Sequence, residues 1–197
     1  MTADTVGFPF LYGFIAALLL VPICKRLAIR AGMVAHPRAD RWHRQTIPLL
    51  GGVAIAGALL AGTFLTGVAT TLYVPLGCAL AIFLVGLVDD FTTLKPSTKL
   101  IALIGVASLL VFSGYRLAWL DSRTMDSLLT ILWVVGLANA FNLLDNMDGL
   151  CAGTGLVAAA MMTVGLLTGV TREIAGDEIR FLVVLAGAIA GFLVYNL

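Results

Sequence analysis

Apolar residues in this chain fall in long unbroken runs separated by short polar breaks, without the alternation of a half-buried strand or the one-sided stripe of a soluble helix. The runs lie near residues 8–29, 47–67, 71–89, 99–114, 125–145, 151–171 and 180–196. Crossing about 30 Å of hydrocarbon takes about 20 helical residues, because backbone N–H and C=O groups there have no water to bond and must satisfy each other. The pattern predicts an all-α, polytopic membrane protein with about seven transmembrane helices, the fourth and the last being short. The longest polar interval, Ala31 to Thr46, leaves no room for a soluble domain, and no fixed-period repeat is present. Residues 1–197 therefore read as a single integral-membrane domain.

Composition agrees with this reading and narrows the function classes. Of the 197 residues 60% are hydrophobic and 12% charged, mean hydropathy is +1.05, and the formal net charge of +1 carries no basic excess for nucleic acid. Cys24, Cys78 and Cys151 lie in or beside apolar runs at no metal-ligand spacing, so they read as small buried side chains. No Lys or Arg precedes the first run and no small-residue cleavage site follows it, so it is expected to be a retained span.

Lys and Arg orient the spans. The first loop holds Lys25, Arg26, Arg30, Arg38, Arg41 and Arg44; if it is cytoplasmic, alternation adds Lys95 and Lys99. Arg116, Arg123, Arg172 and Arg180 then lie outside, which gives eight basic residues against four of the 12 in all. The expected topology has the N-terminus outside a plasma (inner) membrane and gathers the unusual polarity at the cytoplasmic face.

Three segments carry that polarity. In Ala138 to Gly149 an apolar helix acquires Asn139, Asn142, Asp145, Asn146 and Asp148. At about 100° per residue Asn139, Asn142 and Asn146 share one stripe, Asp145 lies a further ~60° round, and Gly149 offers a helix stop. Polar groups in a membrane helix usually face an interior or a wet cavity, so the stripe is a site candidate; its bland reading is a solvated helix end. Asp89 and Asp90 end another apolar helix, and adjacent carboxylates call for a cation. A divalent metal would serve, since Mg²⁺ takes one or two carboxylates with phosphate oxygens and water. Two solvated boundary charges would serve equally. The third segment, His36 to Arg44 followed by Ile47-Pro48-Leu49-Leu50-Gly51-Gly52, is basic enough for a lipid headgroup or phosphorylated substrate, or merely sets topology. His43 is a proton donor, a phosphate ligand or polar surface. Ser97 is expected to cap the next helix. Lys99 falls in its first turn, where the helix dipole disfavours a cation, a case for anion binding. Gly57, Gly62, Gly155 and Gly191 fit close helix packing, Tyr115 and Trp119 fit interfacial anchors, and the outer loops read as solvated connections.

Four strings, His-x-x-x-Ile-Pro-Leu-Leu-Gly-Gly (43–52), Gly-Leu-Val-Asp-Asp (86–90), Pro-Ser-Thr-Lys (96–99) and Asn-Ala-Phe-Asn-Leu-Leu-Asp-Asn-Met-Asp-Gly-Leu (139–150), occur in this order. Together they resemble the polyprenyl-phosphate N-acetylhexosamine-1-phosphate transferases of glycosyltransferase family 4, the last string most specifically. The resemblance implies a Mg²⁺-dependent reaction, with Mn²⁺ as the alternative ion. A polyprenyl (undecaprenyl) phosphate attacks the β-phosphate of a UDP-amino sugar, UDP-N-acetylglucosamine or a close relative, and UMP leaves. It assigns Asp89 and Asp90 to the catalytic and metal centre, Asn139, Asn142, Asp145 and Asp148 to the nucleotide, and Lys99 and His43 to the phosphates. It further implies a ten- or eleven-helix fold of which this chain is the N-terminal part, with the main magnesium carboxylate in a loop beyond Leu197. The expectation is a C-terminally incomplete transferase with little or no activity alone. The alternatives are a peptidoglycan-type phospho-MurNAc-pentapeptide translocase, an inactive fragment that keeps a lipid or nucleotide site, and an ion-coupled transporter. Expected partners are the bilayer, the lipid phosphate and the UDP-sugar, with no nucleic acid; both monomer and homodimer stay open.

Overall fold

Seven α-helices account for the apolar runs in a computed structural model that describes residues 5–32, 34–35, 47–48, 50–145, 149–169 and 175–196. They are α1 (Gly7–Arg30), α2 (Gly51–Leu65), α3 (Tyr73–Thr92), α4 (Pro96–Phe112), α5 (Arg123–Leu144), α6 (Leu150–Thr168) and α7 (Gly176–Asn196). Five are long and apolar enough to span a membrane, while α2 and α4 are shorter apolar helices. The protein is an all-helical, multi-pass membrane protein. A two-residue strand pair, β1 (Val34–Ala35) with β2 (Ile47–Pro48), runs antiparallel with Val34 opposite Pro48.

Two expectations about span length are corrected. The last helix is not short: α7 has 21 residues because the polar turn Gly176 to Arg180 is already helical, with Asp177 and Glu178 placed favourably against its N-terminal dipole. The fourth helix is short as expected, at 17 residues, and α2, expected to be longer, has only 15. Its expected beginning at 47 is given up to β2, and beyond Leu65 the chain turns at Gly67, whose φ of 76° suits glycine.

The contacts divide the chain into two compact units. Unit 1 comprises Met1–Leu72 and Asp145–Leu197, its core built on α1, α2 and α7. Here small residues let backbones touch: a Cβ on Gly13 would strike the Val184 carbonyl, and one on Gly187 the Phe10 carbonyl. Gly62 meets the Val184 side chain, Gly191 the Phe14 carbonyl and Gly57 the Leu20 side chain, as three of the four glycines named from sequence were expected to do. Ala17, Ala58 and Ala188 are fully buried in the same seam.

Unit 2, Tyr73–Leu144, is the three-helix series α3, α4 and α5, with α4 packed against both others. Cys78 Sγ lies near the Val106 carbonyl at 4.0 Å, and Asp89 reaches Lys99, so α3 and α4 are antiparallel. Little of this unit is interior: Ile101 is 70% and Leu132 69% exposed, the outward apolar surface of helices solvated by lipid. Among the described residues, Cys24 and Cys78 are buried and Cys151 half-buried, and none of the three is in a disulfide.

Candidate active site

Asp89 and Asp90 fall in the last turn of α3, where the backbone dipole disfavours negative charge. Lys99 falls in the first turn of α4, where it disfavours positive charge. The connecting turn joins them. Lys99 Nζ donates to Asp89 Oδ2 at 2.7 Å, and the two side chains keep only 15% and 23% of their exposure. The other oxygen, Oδ1, accepts the Leu94 backbone N–H at 2.9 Å. A single carboxylate thus closes the turn and neutralises the lysine.

The turn is tight enough to need support. Thr93 adopts a left-handed φ of 47°, uncommon for a β-branched residue, and its N–H donates to the Asp89 carbonyl at 2.9 Å. The Thr92 hydroxyl donates to the Val88 carbonyl at 2.7 Å. Pro96 opens α4 at a position where its missing N–H costs nothing. Ser97 does not cap α4: the N-cap residue is Lys95, and no side chain bonds the first turn there, because Ser97 already lies inside the helix. Asp90 is exposed beside the paired Asp89.

Asn139 and Asn142 lie near the end of α5 and are both exposed. Asn139 Nδ2 donates to the Val135 carbonyl of its own helix at 2.8 Å, leaving its oxygen as an acceptor. A shared cleft gathers Ser108, Val111 and Phe112 of α4 with Ser127 and Ile131 of α5, which makes these helices antiparallel. Continued along the pair, that register brings the Asn139 turn level with the first turn of α4. One end of unit 2 therefore collects Asp89, Asp90, Lys99, Asn139 and Asn142.

The expected stripe does not run as one helix to Gly149. α5 ends at Leu144, Asp145 is an exposed residue of the following turn, and Gly149, at φ 70°, is the N-cap residue of α6. Glycine here starts a helix with a left-handed residue instead of stopping one. His43, Asn146 and Asp148 lie outside the described residues. Among the described residues no group of three or more His, Cys, Asp or Glu side chains is placed to hold a metal ion. Two adjacent carboxylates at a helix end do suit Mg²⁺ in the mode in which substrate phosphates and water complete the shell.

One organising carboxylate escaped the sequence reading. Asp126, in the first turn of α5, is 4% exposed, and its Oδ1 accepts the backbone N–H groups of Trp119 and Leu120 at 3.1 and 3.0 Å. The buried Thr130 hydroxyl donates to the Asp126 carbonyl at 2.6 Å and accepts the Leu117 N–H at 3.0 Å. The connection before α5 is thus clamped, where a solvated loop was expected. Its sequence signal was an acid four residues before a threonine at the start of an apolar run.

A family model described as glycosyl transferase family 4 matches residues 72–197, a segment that begins just before α3 and contains the Asp89–Lys99 turn and the α5 asparagines. The chain belongs to glycosyl transferase family 4. It is 33% identical over 199 residues to the "Probable undecaprenyl-phosphate N-acetylglucosaminyl 1-phosphate transferase" of Bacillus subtilis (strain 168), covering 95% of this chain and 54% of that protein. It is 34% identical over 198 residues to the decaprenyl-phosphate N-acetylglucosaminephosphotransferase of Mycolicibacterium smegmatis, covering 86% of this chain and 48% of that protein. A phospho-N-acetylmuramoyl-pentapeptide-transferase of Shouchella clausii is 25% identical over 226 residues, covering 98% of this chain and 67% of that protein. The chain spans about half the length of the first two relatives.

Proposed function

We propose that this chain supplies the acceptor and nucleotide side of a membrane transferase that moves N-acetylhexosamine 1-phosphate from a UDP-sugar to polyprenyl phosphate. The observation that carries the reading is the Asp89–Lys99 pair beside Asp90, inside the family-matched segment. An oxygen of the lipid phosphate attacks the β-phosphorus, the new P–O bond forms as the bond to UMP breaks, and a lipid-diphosphate sugar remains. Such transfer depends on positioning and charge neutralisation more than on covalent help from the protein.

The residues suit those tasks. A bare carboxylate repels a phosphate, but Asp89 is already neutralised by Lys99, so it can stand beside the acceptor and orient it. Lys99 offers two further N–H donors to phosphate oxygens. Asp90, with Asp89, would hold Mg²⁺, which when bound neutralises diphosphate charge. Asn139 and Asn142 supply amide donors and acceptors for the nucleotide; roles for Asp145, Asp148 and His43 rest on the family resemblance of their sequence strings alone. The count of Lys and Arg along the chain supports a topology with the N-terminus outside the plasma membrane and this chemistry at the cytoplasmic face, where a soluble nucleotide and a lipid tail meet.

Identity favours an N-acetylglucosamine donor over a muramoyl-pentapeptide, at 33% and 34% against 25%. Membranes carrying the protein, supplied with undecaprenyl phosphate and Mg²⁺, should release UMP from UDP-N-acetylglucosamine and not from UDP-MurNAc-pentapeptide. The opposite preference would overturn the donor assignment.

A further inference from the structure

We infer that the cleft between α4 and α5, at the end of unit 2 opposite Asp89, binds an anionic phospholipid of the surrounding bilayer. The cleft has a volume of about 320 Å³ and is lined by Ser108, Val111, Phe112, Arg116, Ser127 and Ile131. Three of these side chains are apolar, two are hydroxyls and one is a cation; none is acidic. Among the described residues Arg116 takes part in no ion pair, unlike Lys99 and Arg180, which have Asp89 and Asp177. A guanidinium without a counter-ion beside an apolar slot matches a phosphate ester joined to an acyl chain.

The cation is held in place by the fold. Leu117, the next residue, gives its N–H to Thr130 Oγ1, and Trp119 and Leu120 give theirs to the buried Asp126. Arg116 therefore leaves the backbone at a fixed point on the α4–α5 seam. Trp119 and Trp133 pack edge to face nearby at 5.8 Å, and Trp119 and Tyr115 are exposed, the composition of a headgroup-level belt. With Arg116 at headgroup height, Val111, Phe112 and Ile131 lie toward the hydrocarbon, and Phe112, 87% exposed, has an open face for a chain.

The ligand is assigned as a bilayer phospholipid and not the polyprenyl phosphate of the proposed reaction. Phe112 and Lys99 are 13 residues apart on α4, about 20 Å along the helix, so a phosphate at Arg116 is out of reach of the Asp89 end. This inference does not depend on the transferase reading.

The test uses the full chain purified in neutral detergent, titrated with phosphatidylglycerol or phosphatidylcholine of identical acyl chains, bound lipid being counted by native mass spectrometry. Because the first loop is also basic, the informative quantity is the difference between wild type and Arg116→Gln. Wild type should hold one more phosphatidylglycerol than the variant, with about fivefold preference over phosphatidylcholine at that site, and Arg116→Lys should keep it. Ser127→Phe, which fills the slot without touching the charge, should also lose that lipid. Identical lipid counts in wild type and Arg116→Gln would overturn the site. So would full displacement of the bound lipid by millimolar inorganic phosphate, which would show an anion site without a chain, or tighter Arg116-dependent binding of undecaprenyl phosphate.

Discussion

Asp89 and Lys99 sit on consecutive helices, each at the helix end that opposes its own charge, and meet at 2.7 Å across a three-residue turn. Neither placement is favourable alone. Together they cancel two unfavourable dipole interactions and leave a neutral, hydrogen-bonded unit where phosphates are proposed to dock. The charge pair closes the α3–α4 turn, and in the proposed reaction the same pair faces the phosphates.

The pair should show strong coupling. Asp89→Asn and Lys99→Met made singly and together are expected to give a coupling energy of about 1–2 kcal/mol in a double-mutant cycle of unfolding in detergent. Additive single effects would mean that the contact is not formed in the folded protein.

At the opposite end of the hairpin, Asp126→Ala should destabilise the protein by about 2–4 kcal/mol, since it strands two backbone N–H donors. Asp126→Asn keeps an acceptor oxygen and should cost less than half as much. Tryptophan emission should shift with Asp126→Ala as the Trp119–Trp133 pair loosens, and equal stability of the two variants would refute the clamp.

In unit 1, Gly187→Ala should cost about 3 kcal/mol or more, because the added methyl meets the Phe10 carbonyl and forces α1 from α7. Gly77→Ala, with open space around its Cβ, should be neutral or stabilising by up to about 1 kcal/mol. Thermal unfolding in a fixed detergent separates the two; similar midpoints would contradict the close seam.

Spans were legible because bilayer thickness imposes a length on every apolar run, and a run of twenty such residues has few alternatives. Their ends were less so. Gly149 can stop one helix or start the next in the same left-handed conformation, and only the chain's path decides between them. Ile47 and Pro48 are apolar enough for a span, yet pair with Ala35 and Val34, twelve and fourteen residues back along the chain, which local hydropathy does not register. In the site, the acids, the lysine and the asparagines were visible as polar groups out of place. That Asp89 pairs with Lys99 was not, because a ten-residue separation carries no helical or strand periodicity. Asp126 looked like any acid near a loop, since burial of a carboxylate by two backbone N–H groups depends on how residues 113–122 fold.

The most direct measurement is UMP release from UDP-N-acetylglucosamine with undecaprenyl phosphate and Mg²⁺. It would be made on membranes carrying this chain alone, and on membranes carrying it joined to the C-terminal half of the Bacillus subtilis relative. Release is predicted in at least one of the two, falling at least about a hundredfold in Asp89→Asn. No release in either form, or release that Asp89→Asn leaves unchanged, would contradict a transferase site built on Asp89.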